Sequence, residues 1–501
     1  MAEPLFLAID QGTTSTRTIL FDCHGAPVLA RQRELPQILP APGWVEHCAE
    51  TIWRDTVELV RQALDAAPGP VAAIGITNQR ETTVLFQPGG APLGHAIVWQ
   101  DRRTADFCAG LRAAGHGPLV AARTGLVLDP YFSASKIRWR LDQDPDLARR
   151  AAGGNLLFGT IDCYLLHRLT GGRVHGTDAS NASRTALYAL DRADWDDELL
   201  ALFGVPRAML PAILPSSGVV GATDPALFGR AIPIAGIAGD QQAATIGQGC
   251  FAVGQMKATY GTGCFMLANV GAEPPRPSAH GLLGTTLHAW PGSRAFALEG
   301  AIFQAGSIVR WLRDKLGLIG GADEVEALAR RADPRAEVML VPAFTGLGAP
   351  WWDADARGQL SGLTLDAGAP EIAYAALEAV AFQTRDLVEA MAADSGVTPA
   401  ALRVDGGMTA NDMLMQMIAD QLALPVDRPK VAETTALGAA WLAARGVDLP
   451  MDSPVGEPPG GLDRRFTPGA GAADRDRRHR LWRAAVERVR TVDRGASNRT
   501  P

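Results

Sequence analysis

The sequence predicts an α/β fold of two large domains facing each other across a cleft. Three observations carry this. A chain of 501 residues is longer than one hydrophobic core ordinarily organises. Short apolar or β-branched runs alternate with helical patterns throughout. Two hairpin segments of the same design lie about half a chain apart, as expected of two related halves that each offer one loop to a shared ligand.

The first hairpin is Ala-Ile-Asp-Gln-Gly-Thr-Thr-Ser-Thr-Arg at 8–17. An apolar run, Leu5 to Ile9, ends in Asp10, turns through Gly12, Thr13, Thr14 and Ser15, and resumes at Thr18–Phe21. A turn of small residues and hydroxyls presents backbone N–H groups to one point, which suits polyphosphate oxygens. Asp10 is then placed for a hydrated Mg²⁺. An ordinary polar hairpin fits the same residues. The second hairpin, Thr-Tyr-Gly-Thr-Gly-Cys-Phe at 259–265, repeats the design. The halves meet near Gly247–Phe251, dividing the chain into 1–247 and 248–501.

Strands are expected at Leu5–Asp10, Arg17–Asp22, Val71–Thr77, Thr83–Phe86, Ala96–Trp99, Ile232–Ala238, Gln255–Tyr260, Cys264–Asn269, Val338–Pro342 and Leu402–Asp405. Helices are expected at Ala49–Ala66, where Ile52, Trp53, Val57, Val60 and Leu64 recur at helical spacing, and at Arg102–Ala113 and Thr160–Leu169. Further helices follow at Gln241–Gln248, Gly300–Leu316, Pro370–Ala392, Asn411–Leu422 and Thr434–Ala444. Gly218–Ile232 reads as a connector. Residues 451–473 are rich in Pro and Gly, and Asp474–Val492 reads as a charged helix with a solvated arginine face.

A net charge of −7 argues against a general nucleic-acid binder. Only Lys136, Lys257, Lys315 and Lys430 are lysines. The six cysteines form no C-x-x-C pair and no metal-spaced cluster with histidine, so reduced thiols are expected. No apolar run approaches the roughly 18 residues that cross a bilayer, and no signal-type segment opens the chain. A cytoplasmic protein without membrane insertion is the expectation.

Four further segments carry chemistry. Gly-Ile-Thr-Asn-Gln-Arg-Glu-Thr-Thr at 75–83 runs a strand out into adjacent donors and acceptors, Arg80 and Glu81, which suit a small polyol. Ile-Val-Trp-Gln-Asp-Arg-Arg at 97–103 sets Trp99 beside polar residues, as a core residue or a ligand wall. In Ile-Ala-Gly-Ile-Ala-Gly-Asp-Gln-Gln at 234–242, Asp240 sits at a strand C-terminus. It can serve there as general base to an attacking hydroxyl, or as the N-cap of the next helix. Leu-Arg-Val-Asp-Gly-Gly-Met-Thr-Ala-Asn at 402–411 has paired glycines before a helix start, where backbone can approach a nucleotide.

Together with Asp129-Pro-Tyr-Phe-Ser, Leu157-Phe-Gly-Thr-Ile-Asp, Asn181-Ala-Ser-Arg-Thr, Val341-Pro-Ala-Phe-Thr-Gly-Leu-Gly-Ala-Pro, Tyr374 to Arg385 and Thr435-Ala-Leu-Gly-Ala-Ala, these segments resemble the glycerol kinase family in family order over residues 5–445. The resemblance implies two actin-like (ribonuclease-H-like) domains flanking an interdomain cleft. It implies ATP, Mg²⁺ and glycerol bound between them, and a homo-oligomer, dimer or tetramer. Carried over by matched position, Arg80, Glu81, Tyr131, Asp240 and Gln241 contact glycerol, with Trp99 and Phe265 as an apolar wall. Thr13, Thr14, Ser15 and Arg17 form the first phosphate loop, and Asp10 holds the metal. Thr262, Gly306, Arg310, Gly407 and Asn411 fall on nucleotide positions. Arg310 stands where the family commonly has Gln. Phe228-Gly-Arg-Ala-Ile-Pro does not match the Gly-Gly-Thr-Arg loop that binds an allosteric sugar bisphosphate in some members, and no phosphorylatable histidine is found in Gly218–Ile232. A kinase for another polyol or ketose, or a non-catalytic actin-like ATP-binding protein, are the alternatives. The Arg80–Glu81–Tyr131 cluster argues against the first and Asp240 against the second.

Overall fold

A computed structural model describes residues 3–333, 335–452, 461–469 and 471–491. Its first half is built on a six-stranded sheet. β1 (Leu5–Gln11) and β2 (Ser15–Phe21) form the first hairpin, β3 (Pro27–Glu34) extends it, and helix α1 (Ala49–Asp65) leads to β4 (Val71–Asn78). After a long excursion, β5 (Ser217–Ala222) and β6 (Pro233–Gly239) return to the sheet, whose order is β5-β6-β4-β1-β2-β3. Helix α2 (Asp240–Gly247) follows.

The second half is built on a seven-stranded sheet: β7 (Met256–Tyr260), β8 (Cys264–Gly271), β9 (Leu283–Trp290), β10 (Ser293–Ile302), β11 (Leu402–Asp405), β12 (Val426–Pro429) and β13 (Leu462–Phe466). They are ordered β9-β10-β8-β7-β11-β12-β13. Between them run α3 (Gly306–Asp314), α4 (Ala369–Ser395), α5 (Asp412–Leu422) and α6 (Thr434–Gly446), and α7 (Ala472–Val489) follows β13.

The kinship suggested by the hairpins extends to the sheets. β1 pairs antiparallel with β2 and parallel with β4, which is parallel to β6. β7 pairs antiparallel with β8 and parallel with β11, which is parallel to β12. In register, Asp10 faces Thr77 across the β1–β4 pair, and Thr259 faces Asp405 across β7–β11.

The first sheet is buried on both faces. One packs Leu7, Ile9, Ile74 and Ile76 with Ile52 and Val60 of α1. The other packs Phe6, Ala8, Phe21, Ala73 and Ala235 against an alanine-rich helix of the second half, α6. The contact is backbone-close. A Cβ on Gly75 would lie 2.1 Å from the Ala439 carbonyl oxygen, and one on Gly438 would lie 1.9 Å from that of Ala243 in α2. Glycine is therefore required where the two halves meet. A second core fills the space between the second sheet and α4.

The structure moves several expected boundaries. β10 runs to Ile302 and α3 begins only at Gly306, so the expected helix Gly300–Leu316 starts too early; pairing of Ile302 with Cys264 keeps that stretch extended. The expected connector Gly218–Ile232 contains the edge strand β5. Residues 461–466 of the Pro/Gly-rich stretch supply β13, while 453–460 and Val492 lie outside the described residues. On α7, Arg480, Arg483 and Arg488 are exposed as expected, but Arg478 is buried against Glu378, with both guanidinium bonds at 2.5 Å. Its neighbours His479 and Trp482 both donate to Asp386. That helix is amphipathic, with its buried side paired to carboxylates rather than solvated.

All six cysteines are free. Among the described residues no helix is long and apolar enough to cross a membrane.

Candidate active site

The segments singled out in the sequence converge between the two sheets. The first turn is closed by a Gly12 N–H to Ser15 carbonyl bond of 2.9 Å. The second is closed more tightly, Gly261 N–H to Gly263 carbonyl at 2.8 Å. Trp99 links them. Its Nε1 donates to Thr13 Oγ1 at 2.9 Å, and its ring meets Phe265, just past the second turn, edge-on at 6.1 Å. Trp99 also meets Tyr131 at 5.5 Å. The half-buried indole, left open by the sequence between core and wall, thus joins both turns and the Tyr131 loop.

Beneath this wall lies a cluster of buried charges. Arg80 and Glu81 follow the end of β4, and Glu81 takes a left-handed backbone, φ 62°. Such a conformation is uncommon for a residue with a side chain. Ser133 Oγ donates to the Glu81 carbonyl at 2.9 Å and Lys136 Nζ donates to the carbonyls of Pro130 and Tyr131 at 2.6 and 2.7 Å. The Asp-Pro-Tyr-Phe-Ser segment is thereby pinned to Glu81. Arg80 Nε lies 3.1 Å from Asp240 Oδ1, and its other two nitrogens reach Glu299 of β10. A Cβ on Gly239 would lie 2.7 Å from the Arg80 stem, so glycine before Asp240 makes room for the guanidinium.

The cap position of α2 is occupied by Gly239, and Asp240 is the first helical residue. Its carboxylate turns to Arg80 and stays about a third exposed, whereas Arg80, Glu81 and Glu299 are buried. Burial pushes the Glu81 carboxyl up, against the pull of Arg184 and Arg80. Burial also acts on Glu299, but Arg184 and Arg80 outweigh it and hold that carboxyl low. Burial drives the Tyr131 phenol well up, so it stays neutral.

Asp10 is buried, which raises its carboxyl; Arg17 opposes the rise, and the nearby charge of Asp240 adds to it. Two carboxylates close enough to feel each other beside a hydroxyl-lined turn suit a divalent cation. Arg17, one strand over, pairs with Asp10 at 2.5 Å and with Glu433 of the second half at 2.6 Å. Thr14 is exposed at the turn tip, and Thr13 and Ser15 are half-buried.

The second-half positions assemble through backbone. Thr262 accepts from the N–H groups of Ala305 and Ser307 at 3.1 and 3.0 Å, and Gly306 donates to the Gly261 carbonyl at 3.0 Å. A Cβ on Gly306 would lie 2.6 Å from that oxygen. Gly406, at φ 92°, packs on the Tyr260 backbone and brings the exposed Gly407 beside the second turn. Asn411 caps α5 by accepting from Leu414 N–H at 2.8 Å. Arg310, one turn along α3 from Gly306, is exposed.

Several contributors are missed by sequence reasoning. Arg184 donates to Glu81 at 2.7 Å and to Glu299 at 2.9 Å. Lys257, buried on β7, donates to Gln241 Oε1 and to Thr259 Oγ1. With its amide oxygen committed to an ammonium, Gln241 keeps its NH₂ as the free, donating end. Gln79 and His47 lie beneath the first turn: Gln79 Nε2 is 3.0 Å from Gln11 Oε1, 3.1 Å from the Gly12 carbonyl and 3.2 Å from His47 Nδ1. The available signal was a lone charge inside an apolar strand, at Lys257 in Met256–Tyr260 and at Glu299 in Ala295–Ile302.

Comparison with known proteins agrees with this geometry. Residues 5–247 match the N-terminal domain, and 256–447 the C-terminal domain, of the FGGY family of carbohydrate kinases. The chain is 55% identical over 489 residues to a glycerol kinase of Methylobacterium nodulans, covering 96% of this chain and 97% of that one. It is 55% identical over 493 residues to a glycerol kinase of Rhodospirillum centenum, covering 98% and 99%. The crystal structure of Plasmodium falciparum glycerol kinase with ADP superposes with a TM-score of 0.92 at 33% identity, covering 97% of this chain and 98% of that one.

Proposed function

The chain belongs to the FGGY family of carbohydrate kinases, and on that premise we propose that it phosphorylates glycerol with ATP, giving sn-glycerol 3-phosphate and ADP. The observation that carries the reading is the Arg80–Asp240 pair, 3.1 Å apart, set against a wall of Trp99, Tyr131 and Phe265 between two phosphate-type turns. A polyol small enough to fit under that wall meets donors from Arg80 and Gln241 and an acceptor in Glu81.

Phosphoryl transfer needs positioning and charge neutralisation more than covalent chemistry. In the proposed reaction Arg80 and Glu81 fix two hydroxyls. Asp240 accepts the proton of the third as its oxygen attacks the γ-phosphorus and the bond to the ADP oxygen breaks. The turns at Gly12–Ser15 and Gly261–Gly263 donate hydrogen bonds to the moving phosphoryl oxygens. Asp10, with Asp240 near it, is the residue to hold Mg²⁺, which when bound neutralises phosphate charge. The nucleotide lies along Thr262, Gly306 and Gly407, with Asn411 and Arg310 at its outer end. By the same family resemblance the protein is a cytoplasmic homo-oligomer, dimer or tetramer, which sedimentation velocity measures.

The decisive experiment is ADP release across glycerol, erythritol, xylulose, ribulose and gluconate. Glycerol is expected to give the highest kcat/KM, because a misplaced longer chain loses orientation at the reacting hydroxyl. A pentulose outperforming glycerol moves the chain to a sister specificity within the family. No acceptor-dependent ADP release at all removes the enzyme reading.

A further inference from the structure

Every residue assigned to the acceptor's polar contacts belongs to the first half, yet one of the charges that orient them does not. Glu299 stands on β10 of the second half, between Leu298 and Gly300 in the otherwise apolar run Ala295–Ile302. It is 1% exposed. Oε1 accepts from Arg184 Nη2 at 2.9 Å and from Arg80 Nη2 at 3.2 Å, while Oε2 accepts from Arg80 Nη1. Arg80 is thereby left with Nε toward Asp240, and Arg184 with Nε toward Glu81 at 2.7 Å. Arg184 Nη1 is buried without a hydrogen-bond partner.

Stability alone does not account for this arrangement. Burying two guanidiniums and two carboxylates costs more desolvation than an apolar set of the same volume, and such clusters are often replaced without loss of stability. Geometry gives a better account. A guanidinium is a rigid planar fork. Held by two nitrogens on one carboxylate, Arg80 has its plane fixed and offers a single N–H edge to Asp240. Released from Glu299, it is free to turn a second nitrogen onto Asp240 and draw that carboxylate off the acceptor hydroxyl. Arg184 loses one of its two anchors and Glu81 its fixed partner.

We infer that Glu299 is a positioning residue for the acceptor, supplied by the opposite half: its carboxylate sets the planes of Arg80 and Arg184, and through them the direction in which Asp240 and Glu81 face the substrate. The inference rests on the proposed function only for the identity of that acceptor.

The test is Glu299→Gln, which keeps the shape but replaces one accepting oxygen with an NH₂ that cannot accept from arginine. In the full-length enzyme, KM for glycerol is expected to rise at least about tenfold and kcat to fall at least about tenfold, with KM for ATP within about twofold. Calorimetric ADP binding close to that of the wild type shows that the nucleotide half is intact. Glu299→Asp, which keeps the charge but draws it back by one carbon, is expected to recover part of the loss. A folded Glu299→Gln with unchanged glycerol KM and kcat, whether or not its melting temperature drops, overturns the inference. If Glu299→Gln does not fold, Glu299→Asp decides: unchanged glycerol kinetics overturn the inference, and a rise in glycerol KM with ATP KM unmoved supports it. The wild type is run first across the polyol panel. If it prefers another acceptor, the glycerol reading fails while the variants are scored on that acceptor, so the two failures are separate.

Discussion

The two halves share a sheet order but build their ligand sites from different material. At the end of β1 the first turn rests on side chains: Gln11, Gln79 and His47 lie beneath it, Asp10 and Arg17 flank it, and Arg80, Glu81 and Asp240 stand beside it. At the end of β7 the second turn rests on backbone: the N–H groups of Ala305, Gly306 and Ser307 and the close approach of Gly406. On the proposed reading, the same strand frame carries a chemistry-specific site in one half and a shape-specific site in the other. A small polyol offers only hydroxyls and must be met by directional donors and acceptors. A nucleotide offers phosphates and flat surface, which peptide groups and glycines serve.

The comparison can be broken at its most chemical point. Asp240→Asn is expected to lower kcat by about 10²–10⁴-fold while calorimetric ADP binding persists. Activity above about a tenth of wild type would show that Asp240 only starts a helix and pairs with Arg80.

The backbone side is tested by Gly306→Ala. The added methyl meets the Gly261 carbonyl oxygen at 2.6 Å and displaces the second turn. KM for ATP should rise about tenfold with glycerol KM within about twofold. Equal rises in both constants would show that the two sites are not separable in this way.

Titration sharpens the contrast, because a histidine sits beneath the first turn. Burial holds the His47 imidazole down to about 4, with the Thr13 backbone acting slightly against it. Unfolded histidine binds its proton near pH 6.5. Between those values the unfolded chain holds more protons, so this contribution is complete above about pH 6.5 and is lost as pH falls toward 4. It amounts to about 3 kcal/mol at most. Urea midpoints at pH 7 and pH 4.5 should therefore fall less in His47→Gln than in the wild type. Parallel falls would mean that His47 is protonated in the folded state.

The smallest effect is expected at Arg310. It lies exposed on α3, one turn from Gly306. Arg310→Gln should change KM for ATP, or the ATP-over-GTP preference, with kcat at saturating ATP within about threefold. A large fall in kcat would place Arg310 in the chemistry.

What was legible in the sequence follows the same division. Turn chemistry is local, so Gly12–Ser15 and Gly261–Gly263 announce themselves, as do Arg80, Glu81 and Asp240 at strand ends. Long-range pairing is not local. Arg80 and Glu299 are 219 residues apart and Arg184 and Glu299 are 115, and no periodicity joins them. The helical spacing after Gly306 extends back to Gly300 by pattern alone. Only the sheet partners β8 and β9 show that Phe296 to Ile302 is strand. Arg478 reads as one more surface arginine because Glu378, 100 residues earlier, carries no mark of facing it.

α6 reaches the first half by laying alanines and glycines on its sheet, with Gly75, Gly236, Gly247 and Gly438 touching backbone across the seam. A methyl at Gly438 would come within 1.9 Å of the Ala243 carbonyl oxygen and act as a wedge. Glu299 and Lys257 also reach partners in the first half, so such a wedge is expected to slacken the proposed acceptor contacts without altering a single residue that makes them. A seam of glycine and alanine, with no side chain among the proposed acceptor contacts, is thus a place where added mass would still reach them.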